Sequence, residues 1–394
     1  MNILFCNSSN VSEIKGGTER ITARISKGLK ERGHRCFLAY KSEIDSSLPL
    51  TKFEDAINVR KRSLEEFIFK HRIDAVIIQK MTRDVKLFCE IRKRNNLHFK
   101  IISVLHFAPK YEESVMSFTK ARKDLKNETK TFKDFVINII RLLSYPIYKV
   151  YYPVRNKELY KTVYNYSEKV VLLSETFIDD YFYYANIKDK SKFVVIPNAL
   201  SYNEFLSEDK LNQKKNQVLV VSRLNETQKR VSLAIKTWDT IMRNEENERM
   251  RNEWSLKIVG AGPDEEYYKN LVKELGLKNV EFCGRQQPKP YYEESSVFLM
   301  TSPNEGWGLT LTEAQQFGCV PIAFDSFSSL KDIITDEVNG FIIPNNDIEI
   351  YTKRIIELMT NHTLRCEMAK NAIELSKRYE LDKVIQKWES LLIN

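Results

Sequence analysis

The chain reads as α/β, with two doubly wound parallel-sheet domains built from repeated strand–helix units. Three observations predict this. Short apolar runs alternate with longer charged stretches of helical period. The alternation restarts after a polar stretch, Ser207–Gln217, rich in Lys, Asn and Gln. The length, 394 residues, suits two domains, or three, at very roughly 150 residues each. Composition agrees: 42% hydrophobic and 29% charged residues with only 12 Gly and 11 Pro describe a packed globular chain rather than a disordered or fibrous one.

In the first half the predicted strands are Asn2–Cys6, Arg35–Tyr40, Ile73–Ile78, Lys100–Leu105, Val170–Leu173 and Phe193–Ile196. Between the first two, Ile21, Ile25 and Leu29 recur at helical spacing and the pattern stops at Gly33. In the second half the strands are Gln217–Ser222, Ser255–Val259, Val280–Phe282, Val297–Met300, Val320–Phe324 and Gly340–Ile343. The last forty residues or so read as two helices, with Ile350, Ile355, Leu358 and Met359 in one and Val384, Trp388, Leu391 and Leu392 in the other. The expected domains are 1–205 and 206–376, with 377–394 a helix that either closes the second domain or crosses back to the first.

Several classes are excluded. Six cysteines (Cys6, Cys36, Cys89, Cys283, Cys319, Cys366) show no CxxC and no close pair, so no zinc site or disulfide framework is expected, and a reducing cytoplasm fits. The apolar start Asn2–Cys6 has no basic leader and is too short for a signal peptide, and no run of about 18 apolar residues occurs; neither export nor membrane spanning is expected. The five histidines are dispersed and no Asp-x-Asp occurs, so neither a metal nor any other cofactor is expected.

All twelve glycines lie at or before Gly33 or at or after Gly260, so each marks a backbone position with a special demand. Three loops stand out: Gly16-Gly17, Gly260-Ala261-Gly262 and Gly306-Trp307-Gly308. The third lies in Ser302–Ala314, which follows a buried strand and opens a helix. The free N–H groups of that first turn, at Gly308, Leu309 and Thr310, suit a phosphate or diphosphate. Glu305, before the helix, and Glu313, about one turn inside it, suit hydroxyl pairs of a sugar or ribose, because a carboxylate accepts two hydrogen bonds. The plain alternative is a glycine-rich turn with solvated glutamates.

Ser302–Ala314 resembles the E-x7-E motif of retaining glycosyltransferases of the GT-B fold, family 4, and the downstream Phe317-Gly318-Cys319-Val320-Pro321-Ile322 is similar to that family's G-x-P segment. The resemblance implies that Glu305 contacts the donor sugar and Glu313 the nucleotide ribose. Val221-Ser222-Arg223-Leu224 with Gln228-Lys229-Arg230-Val231 resembles the segment that supplies an Arg and a Lys to the donor diphosphate. That role is sensible physically, since a departing nucleoside diphosphate needs cations where its negative charge grows; surface cations at a sheet edge are the alternative. Gly16-Gly17-Thr18-Glu19-Arg20 resembles the family's N-terminal glycine loop beside the sugar diphosphate, and His106 matches its histidine facing the donor sugar. Val194–Asn198 is similar to its I-P-N-G segment, with Ala199 in place of the glycine, which makes Asn198 a binding candidate. Gly260–Pro263 resembles a structural turn, and Val280–Arg285 the strand and loop lining the nucleobase pocket, with Arg285 the binding candidate there. The resemblance is strong over 217–345, thinner over 1–40 and 100–110, and absent over 110–165.

That unmatched stretch, read as an insertion at about 112–165, is basic. Between Phe118 and Thr162 eleven Lys and Arg face four acids, a local +7 out of +9 for the chain. At 100° per residue Phe132, Phe135, Val136, Ile139, Ile140, Leu142 and Leu143 share one helix face, Pro146 is expected to end that helix, and a run of tyrosines follows. Such a segment either lies on an anionic bilayer or packs its apolar face on the sheet. A nucleic-acid partner is not expected, because no recognition module accompanies the charge.

The resemblance therefore implies a retaining, metal-independent transferase. It would move a sugar from a nucleotide diphosphate donor, expected to be a UDP-sugar, to a hydroxyl of a glycan or lipid-linked acceptor in bacterial surface polysaccharide synthesis. The alternatives are a GT-B epimerase or phosphorylase, or a catalytically silent glycan- or membrane-binding partner of a polysaccharide complex.

Overall fold

The short apolar runs pair side by side as parallel strands in two separate sheets. The structure, a computed structural model, describes residues 1–11, 16–42, 53–79, 84–109, 136, 139–140, 142–244 and 248–394. Two compact units result, Met1–Ala199 with Leu381–Asn394, and Leu200–Glu380.

In the first unit the order is β1 (Asn2–Ser9), α1 (Gly17–Glu31), β2 (Arg35–Ser42), β3 (Ala56–Asn58), α2 (Leu64–His71), β4 (Ala75–Ile78), α3 (Val85–Arg94), β5 (Lys100–Leu105), α4 (Tyr145–Tyr166), β6 (Lys169–Leu172), α5 (Thr176–Ala185) and β7 (Phe193–Val195). The sheet runs β3-β2-β1-β4-β5-β6-β7, every pair parallel. Strands covered on both faces need apolar residues throughout, and all four residues of β4 are fully buried. Leu4, Phe37, Val76, Phe88 and Ile101 belong to one core cluster. The strand β3 carries only one apolar buried residue, Ile57, which is too little pattern to announce it.

The second unit repeats the plan: β8 (Lys215–Val221), α6 (Glu226–Lys229), α7 (Val231–Arg243), α8 (Glu248–Glu253), β9 (Ser255–Val259), α9 (Glu265–Glu274), β10 (Val280–Gly284), α10 (Lys289–Glu294), β11 (Ser295–Met300), α11 (Leu309–Gln316), β12 (Val320–Phe324), α12 (Leu330–Ile333), β13 (Phe341–Ile343), α13 (Ile348–Thr360) and α14 (His362–Ser376). Its sheet runs β10-β9-β8-β11-β12-β13, again parallel throughout. The final helix, α15 (Leu381–Ile393), belongs to the first unit. The order reverses beside β1 in one sheet and beside β8 in the other, and loops after such switch points are where open α/β sheets bind ligands.

Three helices, not two, end the chain. Asn361 caps α14 by accepting from the Leu364 N–H at 3.0 Å, so the helical pattern breaks directly after α13. The units divide at 199/200 and 380/381 rather than at 205/206 and 376/377, because the Leu200 N–H donates to the Tyr379 carbonyl at 2.8 Å and ties the two crossings together.

The helical residues that precede Pro146 stop at Leu143, as expected, with a turn at Ser144. Pro146 stands in the first turn of α4, where its missing N–H leaves no bond unmade, and the helix runs on through the tyrosines. Tyr160 and Tyr181 pack with ring centroids 5.3 Å apart, and the Tyr181 hydroxyl donates to the Tyr160 carbonyl at 2.5 Å. Much of the expected amphipathic helix around Phe132 lies outside the described residues.

Candidate active site

At the switch point of the second sheet the loops after β8 and β11 meet. Asn225 caps α6, its Oδ1 accepting from the Gln228 N–H at 3.1 Å. The Glu226 N–H donates to Asp264 Oδ2 at 2.6 Å, and the Glu226 carboxylate accepts from the Ser232 and Tyr268 hydroxyls at 2.6 and 2.9 Å. This single turn is too short to hold itself, so these side chains hold it. Lys229 ends it, and the chain turns into α7 through Arg230 at φ 47°.

Arg230 is a residue the motif reading passed over. Its Nε–H donates to the Thr301 carbonyl at 2.9 Å and its guanidinium reaches Asn346 Oδ1 at 2.6 Å. The Thr301 hydroxyl lies 2.9 Å from the carbonyls of both Lys229 and Arg230. Burial lowers the Arg230 pKa from its ordinary value. The end of β11 therefore fixes Lys229, whose ammonium pairs with the Glu305 carboxylate. Both side chains keep a solvent face, 24% and 14% exposed.

Arg223 is exposed at the end of β8, on a backbone held by the Gly260–Gly262 turn. The Ser222 N–H donates to the Val259 carbonyl at 3.0 Å and the Leu224 N–H to the Ala261 carbonyl at 3.1 Å. A Cβ on Gly262 would stand 2.2 Å from the Leu224 carbonyl oxygen, so only glycine permits this approach.

Past Glu305, the Ser329 hydroxyl donates to the Gly306 carbonyl at 3.0 Å, and buried Trp307 sits edge-on to Tyr379, centroids 5.2 Å apart. Gly308 caps α11 in the left-handed region, φ 89° and ψ 53°, and Leu309 and Thr310 follow half-buried. Their N–H groups open the helix and have no intrahelical acceptor. Glu305, Lys229 and this helix start share one sheet edge.

Glu313 does not join them as an open carboxylate. It is fully buried, with one oxygen accepting from the Ser201 hydroxyl at 2.5 Å and the other from the Tyr292 hydroxyl at 2.9 Å. The reason is helical geometry: Glu313 is one turn past the helix start, on the face turned inward. Arg285 is exposed beyond the edge strand β10, two strands from β8, and is not brought to the Lys229–Glu305 pair.

In the first unit, Gly16 immediately precedes α1, the first helix after the switch strand β1, with Gly17 the first helical residue. His106 follows β5 and is half-buried; its Nε2 lies 2.5 Å from Gln79 Oε1 at the end of β4. Gln79, another residue without a sequence motif, is 2% exposed, and its amide nitrogen has no partner among the described residues. Asn198 is buried beyond β7.

Comparison with known proteins agrees with this geometry. The family described as Glycosyl transferases group 1 matches residues 202–375. An uncharacterised glycosyltransferase of Haemophilus influenzae is 30% identical over 207 residues, 52% of this chain and 57% of that protein. The amylovoran biosynthesis glycosyltransferase AmsD of Erwinia amylovora is 27% identical over 234 residues, 58% of this chain and 63% of that protein. The chain thus spans somewhat over half the length of these two relatives. Among solved structures, the lipopolysaccharide outer core galactosyltransferase WaaB superposes with a TM-score of 0.66 at 17% identity, covering 100% of this chain and 99% of that one. Anabaena HepE in complex with UDP-glucose superposes with a TM-score of 0.70 at 16% identity, covering 100% of both. Residues 202–375 thus match the glycosyl transferases group 1 family, and the two parallel sheets share the GT-B fold of the WaaB and HepE structures.

Proposed function

We propose that the protein is a retaining glycosyltransferase. It moves a sugar from a nucleotide diphosphate donor, a UDP-sugar, to a hydroxyl of a glycan or lipid-linked saccharide in bacterial surface polysaccharide synthesis. The observation that carries the reading is the Lys229–Glu305 pair at the switch point of the second sheet, beside the start of α11. HepE was solved with UDP-glucose and the pneumococcal O-GlcNAc transferase GtfA with UDP and GlcNAc, which supports a UDP-sugar; the name of AmsD supports polysaccharide synthesis.

In the proposed reaction the bond from the anomeric carbon to the diphosphate oxygen breaks and a bond from that carbon to the acceptor oxygen forms. The acceptor proton passes to the departing phosphate, and UDP leaves. Arg223, Lys229 and the amides of Leu309 and Thr310 meet the negative charge that grows on the diphosphate. With Lys229 drawn to the diphosphate, Glu305 is freed to accept from hydroxyls of the donor ring. Glu313 receives the ribose when Ser201 gives way. Gly16, Gly17 and His106 are assigned to the donor-sugar side of the first unit, and Asn198 and Arg285 to secondary binding positions. With cations of the chain set against the diphosphate, the reading requires no metal or other cofactor, so chelator should leave the rate unchanged. A lipid-linked acceptor would place the enzyme at the inner face of the plasma membrane.

The test is release of UDP from a panel of UDP-sugars with lipid-linked and free glycan acceptors. Glu305→Ala and Arg223→Ala should each lower turnover by about a hundredfold or more, the scale of losing one preorganised transition-state contact, with circular dichroism and melting temperature unchanged. Full activity in either variant overturns the assignment.

A further inference from the structure

Ile140, Leu143, Ile147, Val150 and Val154 are 58, 74, 74, 74 and 59% exposed. Their spacing of 3, 4, 3 and 4 residues places them in one line along the helical residues that precede α4 and along its first half. The line is about 21 Å long at 1.5 Å per residue. Tyr151, 59% exposed, lies at its margin. Farther along the same helix Asn156, Tyr160 and Val163 are buried, on the other side of the cylinder. The helix is therefore anchored by its second half and offers an apolar stripe from its first half, a continuous exposure that soluble proteins seldom carry without a use.

The charge around the stripe says which use. From residue 135 to residue 157 the sequence has no acid and four bases, Arg141, Lys149, Arg155 and Lys157. Lys149 is exposed, and Arg155 and Lys157 flank the end of the stripe, half-buried. Six more bases and three acids lie between Lys120 and Asp134, before the stripe in sequence. No helix among the described residues is long and apolar enough to cross a membrane. A helix that joins an apolar line, a marginal tyrosine and an all-basic flank suits the headgroup boundary of an anionic bilayer, lying in its plane.

We propose that the face Ile140–Leu143–Ile147–Val150–Val154 docks this protein on an anionic lipid surface. The apolar line enters the acyl boundary while Lys157, beside Val150 and Val154 on the helix surface, meets the headgroups. The proposal places the contact on α4 rather than on the helix around Phe132. It also stands independently of the transferase reading, since binding to vesicles requires neither donor nor acceptor.

The experiment is flotation of the full chain with vesicles of phosphatidylcholine, with and without phosphatidylglycerol. The protein should float only with the phosphatidylglycerol vesicles, and less so as salt rises. Ile147→Glu with Val150→Glu should lower partition about tenfold or more without changing the melting temperature, since both side chains are exposed. Lys157→Gln should lower it about fivefold, whereas Lys149→Gln, on the opposite side of the helix, should change it little. Equal binding to neutral vesicles would overturn the anionic surface. Flotation of the glutamate variant like wild type would overturn the stripe. Absence of flotation, with a dimer that the glutamate variant converts to monomer, would instead assign the face to a second copy of the chain.

Discussion

At position 313 a carboxylate has no solvent exposure and two hydroxyl donors, Ser201 and Tyr292. A buried acceptor deprived of a donor costs about 1–3 kcal/mol, so Ser201→Ala should destabilise the free protein by that order. If a ribose hydroxyl takes the vacated position, UDP should raise the melting temperature of Ser201→Ala more than that of wild type. An equal shift in the two would remove Glu313 from the ribose. At the first unit, Gln79 accepts from the His106 Nε2–H, which selects one ring tautomer. In Gln79→Leu the nitrogen-15 shifts of that imidazole should report a mixture; an unchanged spectrum would mean another contact sets the ring. Lys229 and Glu305 were legible in the chain because they stand in short local motifs. Arg230 was not, since its part depends on a left-handed φ and on Thr301 and Asn346, 71 and 116 residues away. Gln79 was illegible for the same reason, with His106 27 residues off.

Among the elements, the turn after β9 positions the one after β8. Gly262→Ala would drive a Cβ against the Leu224 carbonyl, and overpacking of this kind typically costs 1–3 kcal/mol. The variant should lose roughly that much stability and, by shifting the backbone of Arg223, more than tenfold in turnover; calorimetry and UDP release read the two. The helix α15 docks on the first unit through Arg32, which pairs with Glu389 at 2.6 Å and also with Asp382, while His34 approaches Glu389 at 3.3 Å. Arg32 and then His34 hold the Glu389 carboxyl below its ordinary 4.5. A depressed carboxyl stabilises the fold fully above the unfolded value and loses that contribution as pH falls through the folded one. Amide exchange in α15 should therefore be faster in Arg32→Ala than in wild type at neutral pH, with the gap closing as pH falls through the lowered Glu389 value. A gap that stays open in acid would assign the docking to Ile385 and Trp388 instead. The apolar runs made the strands legible, and a proline is a legible breaker, but that Pro146 also begins a helix depends on what packs beyond it.

For the whole molecule, ligand linkage gives the broadest test of the donor class. A ligand at about 100 times its dissociation constant adds roughly 2.7 kcal/mol to the unit that binds it, so UDP should raise the unfolding temperature of residues 200–380, while GDP, ADP and NAD should not. Equal shifts with all four, or none with UDP, would overturn a UDP-sugar donor. The parallel α/β class, twelve of the strands and the loops that carry Lys229, Glu305 and Gly308 were determined by the sequence alone. Apolar period, breaker residues and motif spacing are properties of neighbours along the chain, and their physics acts over a few residues. Tertiary structure alone decided which side chains meet: Lys229 with Glu305 across 76 positions, Ser201 with Glu313 across 112, and α15 with α1 across most of the chain. It also decided which apolar face of α4 was left to solvent, because burial and pairing are settled by partners that the fold brings from afar.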